Sequence, residues 1–516
     1  MSTHSNNVNK EYDLVVIGAG INGAGIARDA AGRGLSVLLV EKDDLAQHTS
    51  SASTKLIHGG LRYLEHYDFM LVRHALQERE VLLRSAPHII WPLRFVLPHH
   101  KALRPRWLIR LGLFLYDHIG GRKMLPASHS VNLSTHVSGE ALKDEYKSGF
   151  EYSDCWVQDA RLVSLNVLDA KERGCHVRTR CECTDLVRRN GVWHVHLLDK
   201  ADNAKLQFTA KAIANASGPW VEKTLDLDEE HDAKLGARLV KGSHIVVPKL
   251  FDHPYTYTFQ NADNRVLFAV PYETDYTLLG TTDVEVDDEP GTESIEADEI
   301  DYICRNASEY FKQAIVPDDV VWTYSGVRPL YDDASENASK VTRDYKLDLD
   351  TRKGAPVLSV YGGKITTFRK LAEQAVDMLK EHLKCEAGTW TSTAHLPGGD
   401  IERADFDAYL EQCAGEFPWL KTEVLYDYVR NYGTRIHTLL GDANSMDDLG
   451  QHFGGPLFQA EVDYLVNHEW AQTANDILWR RTKKGLHTDA SAAEELQRYL
   501  EKSYSFTNGN VTLLAS

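Results

Sequence analysis

"YDLVVIGAGINGAGIARDAAGRGLSVLLVEKDD", residues 12–44, decides the fold of this 516-residue chain. Its continuous apolar run, Leu14 to Ile17, reads as a buried strand, and Gly18, Gly20 and Gly23 follow at once in G-x-G-x-x-G spacing. A helical pattern runs from about Asn22 to Arg33, and a second apolar strand, Ser36 to Val40, ends at Glu41. A Gly-rich turn by itself occurs in many α/β proteins. Set between strand and helix, with an acid closing the next strand roughly 20 residues on, it reads as the phosphate-binding turn of a dinucleotide site. The glycines permit a tight turn and a close approach of backbone to pyrophosphate, which the helix N-terminus stabilises. Glu41 is placed to accept hydrogen bonds from the adenosine ribose.

Working outward, the strand–helix–strand unit runs directly into a polar, hydroxyl-rich stretch rather than into further βα units, as an NAD enzyme normally would. Strand-like material returns much later. "GCHVRTRCECTDLVRRNGVWHVHLLD" (174–199) alternates around an Asn-Gly turn, and "KAIANASGPW" (211–220) is an apolar strand ending in a Gly-Pro turn. "APVLSVYGGKITTFRKLAEQAVDMLK" (355–380) is a strand, a Gly pair and a long amphipathic helix starting near Thr366. A Gly pair at a helix N-terminus suits the anionic N1–C2=O edge of a reduced flavin. A nucleotide domain revisited three times, with a substrate domain inserted, is characteristic of FAD enzymes.

Composition bounds the rest. The length implies two or three domains. A net charge of -18 argues against nucleic acid as a partner and requires cations gathered locally at any site for an anion. The seven cysteines include no C-x-x-C pair, and Cys181 and Cys183 are spaced as neighbours on one strand face, so a reduced protein without a metal site is expected. "MSTHSNNVNKEYD" (1–13) carries no signal- or transit-peptide pattern, and no apolar run is long enough to span a bilayer.

The stretch after the dinucleotide unit, "TSSASTKLIHGGLRYLE" (49–65), combines hydroxyls, Lys, His, a Gly pair and Arg-Tyr. Together with "GAGINGAG" (18–25), "GFEYSDCWVQDARL" (149–162), "NASGPWV" (215–221), "KGSHIVV" (241–247), "LLGTTD" (278–283), "YSGVRPL" (324–330) and "GGKITTFRKLAE" (362–373), it resembles the FAD-dependent glycerol-3-phosphate dehydrogenases, motif by motif and in order. The resemblance spans nearly the whole chain. It is closest to the bacterial aerobic, membrane-associated, quinone-reducing branch, since the EF-hand tail of the mitochondrial relatives is missing here: no D-x-[DN]-x-[DN]-G loop occurs. Gly18-Ala19-Gly20 stands where three glycines are common.

The resemblance implies an α/β fold: a Rossmann-like FAD domain of the glutathione-reductase type, an inserted antiparallel β cap and a helical C-terminal domain. It further implies that Ser51, Ser53, Thr54, Lys55 and Leu56 follow the FAD diphosphate and ribityl chain. Gly59 and Gly60 would pass close to the isoalloxazine ring. Asn22, Lys42, Cys183, Ser217, Gly218 and Trp220 would be further cofactor contacts, as would Gly362, Gly363 and Thr366. For the substrate phosphate it implies a clamp of Arg62, Tyr63, Arg328 and Lys364. A dianion needs several charge-assisted donors, and arginine offers a bidentate fork; a single such cation would more simply be a solvated ion pair, but three lie inside separate motifs.

The implied reaction oxidises the C2 alcohol of glycerol 3-phosphate to dihydroxyacetone phosphate, with hydride passing to flavin N5 and electrons to membrane quinone. Arg328 is counted among the catalytic residues. The hydroxyl proton needs a base, and His58 in "LIHGG" and His244 in "KGSHIVV" both qualify at neutral pH. His58 is preferred for its Gly neighbours. Other outcomes remain open: an oxidase returning electrons to oxygen, an amine or amino-acid oxidase of the same fold, and a flavin-bearing sensor without turnover.

The segments divide as FAD domain over 11–90, 149–234 and 331–395, an insert over 91–148, a cap over 235–330 and the helical domain over 396–516. Between Lys101 and Lys123 the insert carries six Lys/Arg against one acid. On a helical wheel Arg106, Arg110 and Asp117 share a narrow polar face, with Trp107, Leu108, Leu111, Phe114, Leu115 and Ile119 around the rest. This pattern fits either a core helix or monotopic attachment to an anionic lipid surface. The resemblance favours attachment, at the cytoplasmic face of the inner membrane. "WRRTKKG" (479–485) suits domain packing, a homodimer contact or anionic lipid.

Overall fold

The computed structural model describes residues 10–101, 103–229, 236–263, 265–287, 289–331, 344–507 and 510–514. The dinucleotide unit forms as read: strand Glu11–Ile17, helix Ile21–Gly32 and strand Val37–Val40. Five parallel strands make the core of the first sheet, in the order Val357–Tyr361, Lys205–Asn215, Glu11–Ile17, Val37–Val40, His176–Arg178. Sheets covered on both faces need continuous apolar strands, and Val37–Val40 and Val357–Tyr361 are buried at every position. The hairpin Cys181–Arg189/Val192–Asp199 extends this sheet antiparallel, turning at Asn190 and Gly191, both at positive φ as a two-residue hairpin turn requires. Helix Ile21–Gly32 packs against Asp159–Glu172 and Phe368–Leu383. Its alanines and Gly25 allow close approach; a Cβ at Gly25 would lie 2.8 Å from the Phe368 ring.

The second sheet has ten strands. Its strands from Ala237–Pro248 to Trp322–Tyr331 pair antiparallel, as expected of the cap. The sequence boundaries do not follow this sheet. Ile90–Pro98 and His129–Val131 of the insert belong to it, and so do Gly149–Val157 and Leu56–Ile57 from the nucleotide segments. Ile90–Pro98 joins the cap through a parallel pairing with Thr256–Gln260. Sheet pairing unites strands distant in sequence, which no linear boundary captures. The boundary at 234/235 and the segment before Lys10 lie outside the described residues.

The C-terminal domain has its own apolar core, built from helices that include Phe406–Glu416, Thr422–Tyr432, Gln459–Glu469 and Ala490–Ser503. It docks through buried ion pairs. Asp44, just past the second strand, accepts from Arg480 Nε at 2.6 Å and from Arg481 Nη1 and Nη2 at 2.8 Å. Burial pushes the Asp44 carboxyl up, but the guanidiniums of Arg481, Arg480 and Arg180 outweigh it and bring it down to about 2. Within the helical domain itself, Lys484 pairs with Glu461, and with Asp427 at 2.7 Å. Of the roles open to "WRRTKKG", domain packing is the one these buried side chains serve.

Candidate active site

Two cavities are lined by residues of the motifs read in the sequence. The smaller, about 330 Å³, is lined by Gly18, Gly20, Glu41, Lys42, Cys183, Ser217, Gly218 and Trp220, uniting the first two nucleotide segments. Gly18 sits at φ +97°, and a Cβ there would lie 2.5 Å from Ala216 O; at Gly23 it would lie 1.8 Å from Gly18 O. Gly20, by contrast, has extended backbone, and its Cβ would meet nothing nearer than Ser50 Oγ at 3.1 Å. Glu41 is buried, and its carboxylate accepts from Ala19 N–H (2.8 Å) and Asp43 N–H (2.9 Å), so it also ties down the Gly turn. Lys42 Nζ lies 3.9 Å from the centroid of the Trp220 ring.

The third segment closes on the first. Asn22 Nδ2 donates to Gly362 O at 3.1 Å, and a Cβ at Gly363 would lie 2.8 Å from that same nitrogen. Gly362 and Gly363 both have positive φ, which explains the Gly pair. Asn22 Oδ1 is buried with no hydrogen-bond partner among the described residues. These features fit a flavin dinucleotide: a pyrophosphate-sized approach at Gly20, an adenosine cavity floored by Glu41 and Cys183, and an unmatched polar atom between two Gly turns.

The loop 49–60 links the cavities, and its side chains divide. Ser51 Oγ donates to His48 O at 3.2 Å. Ser53 Oγ donates to Asp159 at 2.8 Å, and Lys55 Nζ reaches both Asp159 oxygens at 2.9 and 3.0 Å and Ser51 O at 3.1 Å. The Lys55 side chain is thus spent inside the protein, and the main-chain N–H groups of Ser53 and Lys55 are engaged as well, by Asp159 Oδ2 at 3.3 Å and Ser53 Oγ at 2.9 Å. Thr54 Oγ1 meets His244 Nε2 at 3.0 Å. Gly59 N–H donates to Tyr116 OH at 2.7 Å, and Tyr116 in turn donates to Asp154, which Arg79 neutralises at 2.7 Å. Gly60 is at φ +73° with the Tyr63 ring where a Cβ would stand.

The larger cavity, about 680 Å³, is lined by Leu56, His58, Gly60, Arg62, Tyr63, Thr258, Gln260, Phe268, Thr281 and Asp283, among others. His58 faces it, its main-chain N–H donating to Thr366 Oγ1 at 3.3 Å and its ring edge-on to Phe268. His244 is fully buried, stacked on Tyr324 with 4.8 Å between centroids. Burial, then Arg328 and Lys55, push its pKa well below the usual histidine range, so the ring is neutral. Lys364 Nζ stands 3.7 Å over the Tyr63 ring, next to Arg62 in sequence. Arg328 Nη1 donates to Asp283 at 2.6 Å, and a Cβ at Gly242 would lie 2.4 Å from its Nη2. Asp283, Asp159 and Asp154 are the site residues that sequence reasoning missed. All three sit inside motifs already singled out ("LLGTTD", "QDARL", "YSDCW"), but their cationic partners are remote in sequence.

Residues 13–348 match the family model described as FAD dependent oxidoreductase, and residues 389–503 match the C-terminal domain of alpha-glycerophosphate oxidase. Among curated relatives, a glycerol-3-phosphate dehydrogenase of Pseudomonas aeruginosa is 50% identical over 494 residues, 96% of each chain. A D-erythritol 1-phosphate dehydrogenase of Brucella abortus is 51% identical over 93% of this chain and 96% of its own. The aerobic glycerol-3-phosphate dehydrogenase of Escherichia coli is 49% identical over 95% and 97%. The solved glycerol-3-phosphate dehydrogenase of Bacillus halodurans, complexed with FAD, superposes with a TM-score of 0.76 at 25% identity, covering 96% and 95% of the two chains.

Proposed function

The chain belongs to the FAD-dependent oxidoreductase family, alongside its glycerol-3-phosphate dehydrogenases, and on that premise we propose how its residues oxidise glycerol 3-phosphate and where the electrons go. Bound FAD supplies the hydride acceptor. Arg62, Tyr63 OH, Lys364 and Arg328 bind the phosphate dianion, with Asp283 orienting the Arg328 fork. His58 takes the hydroxyl proton as the carbon–hydrogen bond breaks, its position set by Thr366 and Phe268. The single observation that carries this reading is the convergence of His58, Arg62 and Tyr63 on one cavity beside the Gly59–Gly60 turn.

Turnover of glycerol 3-phosphate with a dye acceptor tests it, with Arg328→Ala as the diagnostic variant. Losing a charge-assisted hydrogen bond costs about 1.5–3 kcal/mol, so the KM is expected to rise roughly 10–150-fold with FAD content intact. An unchanged preference for glycerol 3-phosphate over glycerol would place the clamp elsewhere. The Brucella relative favours a second reading, since a cavity of about 680 Å³ with Thr258 and Gln260 on its wall has room for a longer polyol phosphate. Comparing kcat/KM for the three- and four-carbon phosphates decides between them; a higher value for the four-carbon one would overturn the first.

For the acceptor we propose membrane quinone, reached by monotopic attachment. No helix among the described residues is long and apolar enough to cross a membrane. Helix Arg106–Ile119 instead turns its apolar side outward: Trp107 is 69% exposed, and Leu111 and Phe114 are each 48% exposed. Tyr67, Phe69 and Met70 are exposed as well, and Tyr67, Phe69, Leu108 and Leu111 line the larger cavity. An apolar surface around a cavity mouth suits a lipid-borne acceptor. The helix's arginines are tied to neighbouring hydroxyls: Arg106, itself exposed, bonds Ser148 Oγ, and Arg110 donates to Ser128 Oγ at 3.0 Å. Attachment therefore rests on the rings and leucines more than on the arginines. Each such side chain buried is worth about 1.5–3 kcal/mol, so Trp107→Gln with Leu111→Gln is expected to weaken vesicle binding by at least about 100-fold. Dye-linked activity should survive while quinone-linked activity falls. Equal vesicle binding by wild type and double variant would exclude this surface, and peroxide formed in air at the rate of turnover would make oxygen the acceptor.

A further inference from the structure

Four rings run in line from the C-terminal domain to the loop beside the larger cavity. Trp322 and Tyr324 lie two residues apart on strand Trp322–Tyr331 and so share a face. His244 is directly opposite Tyr324 in the antiparallel register. The centroid separations are 4.8 Å from His244 to Tyr324, 5.1 Å from Tyr324 to Trp322 and 4.6 Å from Trp322 to Trp479. The last pair is stacked, with 27° between planes, and crosses from the cap to the helical domain.

Each end of the line is anchored. At the far end the Trp479 indole lies over Gly485, where a Cβ would stand 2.4 Å from it, and Arg480 and Arg481 beside it hold Asp44. Lys483 Nζ bonds Trp479 O and lies 5.8 Å from the Trp322 ring centroid. At the near end Tyr324 OH donates to Ser53 O at 2.9 Å, His244 holds Thr54, and Lys55 Nζ lies 4.8 Å from the Tyr324 ring centroid. Three consecutive loop residues are thus held by the two rings at that end. Side chains packed at interior density transmit displacement rather than absorb it.

We propose that Trp479 is a positioning residue: through Trp322 and Tyr324 it holds Ser53–Lys55 and His244 where the cofactor requires them. The helical domain thereby contributes to the flavin site without touching it. This rests on the reading that FAD lies along the loop 49–60; if that reading failed, wild-type protein itself would not bind FAD or be reduced by glycerol 3-phosphate.

The test uses the full chain with Trp479→Ala, Trp479→Phe and Val462→Ala, the last a buried residue of the helical core. The measurements are the FAD dissociation constant of the apoprotein, the anaerobic rate of flavin reduction by glycerol 3-phosphate, the KM and the melting temperature. Trp479→Ala is expected to weaken FAD binding about 5–30-fold and to slow reduction at least about 10-fold, since small misplacement is costly. The KM should move less than about 3-fold, because the phosphate clamp is untouched. Trp479→Phe should stay within about 3-fold of wild type in all respects. Val462→Ala should lower the melting temperature yet leave FAD affinity and reduction unchanged. Wild-type affinity and reduction in Trp479→Ala, or equal losses in Val462→Ala, would overturn the proposal. Should Trp479→Ala not fold, Tyr324→Phe keeps the stack and removes only the bond to Ser53 O. Wild-type FAD affinity there would likewise overturn it, and a loss of about 3–10-fold would support it.

Discussion

Gly20→Val is expected to give a folded, colourless protein. The three glycines of the turn look equivalent in sequence, but they differ in what a side chain would meet. At Gly23 a Cβ would collide with Gly18 O at 1.8 Å, and Gly18 holds a left-handed φ that L side chains rarely adopt. Substitution at either disturbs the turn itself, and loss of cofactor would then say little about binding. Gly20 has φ -72° and ψ -179°, a conformation any β-branched residue accepts. Its Cβ needs only a few tenths of an ångström from Ser50 Oγ, which accepts from Ile21 N–H at 2.9 Å. The added methyls project into the smaller cavity, at the helix N-terminus where a pyrophosphate must approach the backbone. The ratio of flavin to protein absorbance should fall more than about 10-fold at an unchanged melting temperature for the apoprotein. An unaltered ratio would remove the diphosphate from this turn.

The second large effect is expected at His58. Replacing it by Gln should lower substrate-driven flavin reduction by about 10²–10⁴-fold, the usual range for loss of a general base. FAD content should hold, because Gln retains the main-chain N–H that donates to Thr366 Oγ1. His244→Gln is the necessary companion. That ring is neutral and buried, bonded to Thr54, and reaches neither cavity lining. A positional role predicts a smaller loss in His244→Gln than in His58→Gln. The reverse order, in single-turnover reduction without oxygen, would transfer the base to His244.

The orientation of helix Arg106–Ile119 marks where sequence reading ran out. A helical wheel separates its arginines from its apolar residues, but a wheel has no inside. Asp117, buried and accepting from Ser128 N–H and Oγ, pulls the polar stripe against the protein and leaves Trp107, Leu111 and Phe114 outward. The choice between the two histidines was equally hidden: both stand in flavin-associated motifs, and only the packing of Gly280 and Tyr324 around His244 shows that it is enclosed. For "WRRTKKG" the sequence left domain packing, a dimer contact and lipid open; Arg480, Arg481 and Lys484 are buried because Asp44, Asp476, Asp427 and Glu461 supply carboxylates from elsewhere in the chain.

By itself the sequence determined the dinucleotide unit, the Asn-Gly hairpin, the Gly pair and some of the motifs that line the two cavities. These depend on interactions within a few residues: strand and helix periodicity, positive φ at glycine, and the spacing of a turn from its acid. Only the tertiary structure decided which cap strands joined which sheet, that Lys55 and Ser53 turn to Asp159, that Asp283 pairs with Arg328, and that Trp479 reaches the loop 49–60 through two rings. Arg328 and Asp283 are 45 residues apart, and Arg481 and Asp44 are 437 apart. A charge in a sequence carries no mark of its partner at such distances. The pairing is settled when burial removes water as the competing partner and leaves each polar group to the nearest complement the topology supplies.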